Sequence, residues 1–147
     1  MKITSITTMA LISLFFFAGC KKGQVVDPND ATVTKLKGKW AATSEVEKVY
    51  EKESNKLVSE KTTPYKANQR EIEYKGNEVV YYFNGTPEVT YTYAIIGAEI
   101  RLRDGNNGVY YQLKFYSDTQ HAHSEESFFT SKNVKMRSTY ETIYVKK

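Results

Sequence analysis

Apolar and polar residues alternate in short runs from residue 36 to the end of the chain. Residues 89–95 show the period clearly, because every second residue is apolar or aromatic. A period of two is typical of a strand that buries one face. Glycine- and asparagine-rich turns, such as Gly76-Asn77 and residues 104–108, separate the runs and predict hairpins.

Successive strands joined by short turns predict an antiparallel meander. An open meander leaves two strand edges unpaired, and closure into a barrel removes them. We therefore predict an all-β fold, a small antiparallel up-and-down barrel of eight or nine strands. The strand count depends on residues 50–69, which form either a short second strand that turns at Ser54 and Asn55 or a flap.

The phase of each predicted strand assigns side chains to the barrel interior. On the first strand, Trp40, Ala42, Ser44 and Val46 fall on one face. The aromatic residues expected to line the interior are Trp40, Tyr74, Tyr81, Tyr91, Tyr93, Tyr111, Phe115 and Tyr140. These residues either form a pocket for a small apolar or amphipathic ligand or simply fill the core. On the opposite phase, Tyr82, Tyr110 and Tyr116 are candidates for an outer patch that contacts a protein partner.

Composition supports sheet structure and narrows the choice of partners. The chain has 12 tyrosines and 7 phenylalanines but only 3 prolines, a balance that favours strands. A net charge of +4 with both signs interspersed could favour an anionic membrane surface, and it is weak evidence for nucleic acid. We therefore predict no nucleic-acid partner.

The N-terminus has the layout of a secretory signal. Lys2 is followed by an apolar run over residues 10–18, which ends at Ala18-Gly19 and the only cysteine, Cys20. The run is interrupted by polar residues and is shorter than the about 20 apolar residues that a transmembrane helix needs. We predict a signal peptide over residues 1–19, a tether over 20–35 and a barrel domain over 36–147.

The end of this run resembles the lipobox of bacterial lipoproteins, with Phe17 where leucine is usual. The resemblance implies that Cys20 is acylated and becomes the new N-terminus, and two or three acyl chains would hold the protein at a membrane. Lys21 and Lys22 follow, in place of the acidic residues of surface-exported lipoproteins. The expected location is the bacterial cell envelope, anchored to the outer membrane and facing the periplasm.

The start of the first strand, Leu36-Lys37-Gly38-Lys39-Trp40, resembles the Gly-x-Trp opening of lipocalins and of the lipocalin-like domains of small bacterial lipoproteins. The resemblance covers residues 36–147. It implies that Gly38 lets the chain enter the barrel without a Cβ clash and that Trp40 plugs the closed end. The cation that lipocalins pack over this tryptophan has only Arg137 or Lys146 as candidates here.

Side chains that could carry chemistry are few. His121, His123 and Glu125 would share one face of a strand, with spacing compatible with a metal ion. They follow a polar turn, where exposed residues are expected, and the chain has no third histidine. No set of nucleophile, base and acid can be assembled from the sequence. We predict no metal site, no cofactor and no catalysis.

Two functions remain. The first is a lipid-anchored protein that binds a small apolar or amphipathic ligand inside its barrel. The second is an accessory subunit with a packed core, which docks a membrane-associated protein partner.

Overall fold

The computed structural model describes residues 30–147, so the predicted signal peptide and Cys20 lie outside the described residues. These described residues form one short helix and nine strands. They are α1 (Ala31–Leu36), β1 (Gly38–Glu51), β2 (Leu57–Pro64), β3 (Arg70–Lys75), β4 (Glu78–Phe83), β5 (Thr86–Ile96), β6 (Glu99–Asp104), β7 (Asn107–Ser117), β8 (Gln120–Ser131) and β9 (Val134–Lys146).

Eight of these strands close into an antiparallel barrel. β1 pairs with β3, each later strand pairs with the next, and β9 returns to pair with β1 from Trp40↔Lys146 to Glu51↔Met136. The predicted all-β barrel is therefore confirmed. The segment left open by the sequence contains a strand, β2, which pairs with β1 and lies outside the ring of eight.

The edge of β1 that faces away from β9 is shared by two strands. Residues Gly38–Ala41 pair with β3, whereas Ser44–Tyr50 pair with β2. The two ends of the barrel therefore differ. We call the end with α1 and the β3–β4, β5–β6 and β7–β8 turns the closed end. The open end carries the β1–β2, β4–β5, β6–β7 and β8–β9 turns.

Helix α1 covers the closed end. The Asp30 side chain accepts hydrogen bonds from the backbone N–H groups of Thr32 (2.7 Å) and Val33 (3.3 Å), which caps the helix. Val33 and Leu36 are buried against the barrel core. The predicted tether is therefore wrong for residues 31–35, because Asp30 caps a short helix whose two apolar residues are buried against the barrel core.

Gly38 and Trp40 stand at the start of β1 as expected. Glycine is required at position 38, however, for its backbone conformation and not to avoid a Cβ clash. Gly38 has a φ of 111°, which L-residues rarely adopt. A Cβ there would lie 3.8 Å from Lys146 Cε, an ordinary contact, so conformation rather than space requires glycine. Trp40 is fully buried and donates its Nε1 hydrogen to the Leu36 carbonyl (2.6 Å). Lys146 Nζ lies 5.2 Å from the Trp40 ring centroid, whereas Arg137 lies over Tyr50.

A β-bulge at Thr43 changes the phase of β1. Ala42 pairs with Tyr144, but Ser44 pairs with Ile143, so one extra residue is inserted. Side chains directly opposite each other share a face of the sheet, and beyond the bulge Glu47 lies opposite Tyr140. Glu45 and Glu47 therefore face inward, and the prediction that Ser44 and Val46 do so is wrong.

A buried carboxylate ties the C-terminus to the outer surface of the barrel. Glu71 is 2% exposed and accepts hydrogen bonds from Lys147 and from Lys39, the latter at 2.8 Å. Burial by itself would raise the pKa of Glu71, but the two lysines outweigh it and hold the pKa below its ordinary value. This contact links β1, β3 and the end of β9.

Candidate functional site

The predicted interior aromatic residues do lie together in the barrel. Trp40, Tyr74 and Tyr93 are buried, and Tyr81, Tyr91, Tyr111 and Phe115 are half-buried and pack against the same core. Tyr140 is half-buried and donates its hydroxyl hydrogen to Glu47 (2.8 Å). Ile72, Val79, Ile100, Leu102 and Leu113 occupy the remaining space between the deep rings. The half of the barrel near the closed end, which we call the lower part, is therefore a packed core. Each fully buried aliphatic side chain there contributes about 1.5–3 kcal/mol to the free energy of unfolding.

His121 and His123 belong to this core, which corrects the prediction that they are exposed. His121 is fully buried, with its ring 4.3 Å from that of Trp40 (edge-on) and 5.2 Å from that of Tyr144 (stacked). His123 Nε2 lies 2.8 Å from the Tyr74 hydroxyl, and its ring stacks on Tyr111. Their inward phase on β8 is a stronger signal than the polar turn before them.

Both histidines are uncharged at neutral pH. Burial lowers the pKa of His121 to about 2, with a smaller contribution from His123, and it lowers the pKa of His123 to about 3. Neither ring nitrogen of His121 has a hydrogen-bond partner within residues 30–147. Glu125 lies farther along β8 and is exposed, and the described residues contain no cluster of three metal-ligating side chains.

The upper interior, towards the open end, is polar and aromatic. The Tyr65 hydroxyl donates to Glu45 (3.0 Å), as the Tyr140 hydroxyl does to Glu47. The rings of Tyr81 and Tyr91 meet edge to face with centroids 5.6 Å apart. Burial raises the pKa of Tyr65 and of Tyr81, so both hydroxyls stay protonated donors. This region can offer hydrogen bonds and aromatic walls to an amphipathic group.

Exposed apolar side chains are concentrated at the open end. Of the nine large apolar residues that are exposed within residues 30–147, only Tyr116 lies near the closed end. The other eight are Leu57, Val58, Phe83, Val109, Tyr110, Phe128, Phe129 and Val134. Most of this set has no signal in the sequence, because the residues belong to five different strands. Only the positions of these eight residues next to the turns of the open end could have indicated the exposed set.

The predicted outer tyrosine patch does not form. Tyr82 is half-buried and donates to Glu73 (2.7 Å), and Tyr116 donates to Glu141. Tyr110 is 67% exposed, but it is six residues from Tyr116 on the same strand, a separation of about 20 Å. Of the three, only Tyr110 belongs to the exposed set at the open end.

Comparisons of the chain with protein-family models, with curated proteins and with solved structures find no match. Within residues 30–147, no helix has the length and apolar character needed to cross a bilayer.

The neutral histidines predict a loss of stability in weak acid. An unfolded histidine has a pKa of about 6.5, far above the values of the buried pair, so the unfolded chain takes up two more protons as the pH falls below that value. The two neutral histidines therefore make their full contribution to stability above about pH 6.5. We expect the free energy of unfolding, from urea titrations, to drop by about 4 kcal/mol between pH 7 and pH 5.

The variant His121→Phe keeps a ring at this position and removes one of the two groups that take up a proton when the chain unfolds. It should reduce the drop to about 2 kcal/mol. A wild-type stability that does not change between these pH values would contradict the burial of two neutral imidazoles.

Proposed function

We propose that this protein is a non-catalytic, lipid-anchored envelope protein that docks a protein partner through its open end. The observation that carries the proposal is the concentration of eight exposed apolar side chains at that end. Exposed apolar surface of this kind is typical of interaction sites. The packed lower core supports the choice, because its rings leave the interior there filled rather than available to a ligand.

The position of the N-terminus supports an outward-facing docking surface. Asp30 and α1 lie at the closed end, opposite the exposed set. Asp30 lies ten positions after Cys20, and a stretch of that length can span at most about 36 Å. Strand β1, with 14 residues, is about 46 Å long. An anchor at Cys20 would thus hold the closed end near the membrane and direct the open end away from it.

The anchor and the location rest on the N-terminal sequence. The proposed site is the periplasmic face of the outer membrane, because the lysines after Cys20 replace the acidic residues of surface-exported lipoproteins. The proposal requires no metal or cofactor.

Replacing the anchoring residue tests the location. In the variant Cys20→Ser, the thiol that would be acylated is absent, so we expect the protein to move from the membrane fraction to the soluble fraction of lysed cells. A matched variant with Ser13→Ala should remain with membranes. Equal membrane association of both variants would contradict the lipid anchor.

Photocrosslinking tests the docking surface. A benzoylphenylalanine placed at Phe129 should give discrete protein adducts in intact cells, because it stands in the exposed apolar set. The same group at Tyr116, which is similarly exposed but near the closed end, should give none. Adducts of equal yield at both positions, or no adduct at Phe129, would contradict docking through the open end.

The upper interior of the barrel favours a second candidate function, the binding of a small amphipathic ligand. There, a cavity of about 230 Å³ is lined by Ile72, Tyr81 and Tyr144 and also by the charged side chains of Arg70 and Glu88. A cavity with apolar walls and a few polar groups suits a small amphipathic ligand.

Native mass spectrometry separates the two candidates. Soluble Cys20→Ser protein purified from cells should show its bare mass if docking is the function. A discrete additional mass that organic extraction removes, and that is smaller in abundance for Tyr81→Phe, would establish the ligand-binding alternative.

A further inference from the structure

Strands β7 and β8 are paired over only half of their length. Their register runs from Ser117↔Gln120 to Gln112↔Ser124 and stops there. Towards the open end, residues 107–111 of β7 pair with β6 alone, and residues 125–131 of β8 pair with β9 alone. Between these two segments lies a cleft of about 680 Å³, lined by residues that include Gly108, Tyr110, Glu126 and Phe128. We refer to it as the β7–β8 cleft.

The alternation of hydrogen bonds shows which backbone groups face the cleft. The Leu113 N–H donates to Ala98, so odd-numbered residues of β7 bond to β6. The Lys146 N–H donates to Thr119, and by the same alternation the odd-numbered residues of β8 bond to β9.

The even-numbered residues therefore direct their N–H and C=O groups into the cleft. They are Gly108 and Tyr110 on β7, and Glu126, Phe128 and Thr130 on β8. Within residues 30–147 no strand pairs with either of these edges.

Two unpaired strand edges that face each other specify the shape of an occupant. Only an extended main chain can match donors and acceptors on both sides at the spacing of a strand, as in recognition by strand addition. The volume of the cleft lies within the range of about 300–1,000 Å³ that is usual for binding sites. We infer that the β7–β8 cleft binds one extended segment of a protein partner as an added strand. This inference rests on the proposed docking function and specifies how docking occurs.

The side chains around the cleft define the chemistry of that segment. On the outer face, Tyr110 and Phe128 are 67% and 58% exposed and offer contacts to apolar residues. On the inner face, Glu125 has no ion-pair partner in the described part of the chain. Its neighbour Glu126 lies on the outer face and is paired with Arg137 (3.0 Å). The segment should therefore carry apolar residues at alternate positions and a lysine or arginine on the opposite phase.

Gly108 allows a test that changes one backbone donor. Its φ lies outside the region reserved for glycine, and a Cβ would meet nothing closer than the Leu102 carbonyl oxygen at 3.6 Å. Gly108→Ala therefore keeps the N–H group at little cost. Gly108→Pro removes an N–H that faces the cleft rather than β6, which a strand edge tolerates.

The probe is a fluorescent heptapeptide, Thr-Val-Thr-Phe-Lys-Val-Thr, with blocked ends, and a control peptide has proline in place of phenylalanine. By fluorescence anisotropy we expect the first peptide to bind wild type and Gly108→Ala with affinities within about twofold. Gly108→Pro should bind about tenfold more weakly, which corresponds to one lost hydrogen bond of about 1.4 kcal/mol. Hydrogen exchange at the amides of Tyr110 and Phe128 should slow when the peptide is bound.

Several outcomes would overturn the inference. One is an absence of binding to wild type at about 1 mM peptide, and another is equal binding of the control peptide. Equal affinity of Gly108→Pro and Gly108→Ala would do the same. A concentration-dependent dimer that Gly108→Pro abolishes would assign the cleft to a second copy of this chain. If Gly108→Pro does not fold, Thr130→Pro and Thr130→Ala give the same comparison on β8.

The failure of strand addition can be distinguished from the failure of docking. If the Phe129 photocrosslink persists in Gly108→Pro while the peptide does not bind, docking holds and the added strand is excluded. If Phe129 gives no adduct in any variant, the docking function itself fails.

Discussion

The hydrogen bonds of β1 determine the architecture of the whole barrel. One edge of this strand pairs with β9 along almost its full length, and that pairing closes the ring. The other edge has to serve both β3 and β2, one after the other. Since β3 reaches only to Ala41, the ring of eight is complete only near the closed end. The same strand therefore produces a tightly packed end and an end whose strands diverge.

The two ends manage polar groups in different ways. Near the closed end, His121 and His123 are held neutral among aromatic rings, and Trp40 finds its hydrogen-bond acceptor in the helix that covers the barrel. Near the open end, Glu45 and Glu47 remain next to tyrosine hydroxyls and solvent. Because burial is complete only at one end, recognition is most easily placed at the other, where side chains and backbone edges are accessible.

The sequence predicted the features that depend on local pattern. Alternation along the strands and the glycine turns were enough for the barrel, and inward phase was enough to group the aromatic side chains. Three features depend on distant parts of the chain. The bulge at Thr43 is fixed by pairing with β9, and the short helix by Trp40 and the barrel core. Where β7 separates from β8, β7 continues to pair with β6 and β8 with β9. The bulge and the strand separation have no signal in the few residues concerned, and the helix has only its capping aspartate and two apolar residues.

The bulge at Thr43 also bears on how such a barrel can diversify. A strand with a period of two exchanges its faces whenever one residue is gained or lost. If the bulge were absent and Thr43 paired with Ile143, Ser44 and Val46 would turn inward in place of Glu45 and Glu47, while the ring of strands is retained. An insertion or deletion of one residue in β1 just beyond a retained bulge would make the same exchange and remove two inward carboxylates in one step, which would take two substitutions otherwise. Related chains would then differ in binding chemistry by length at this position rather than by composition.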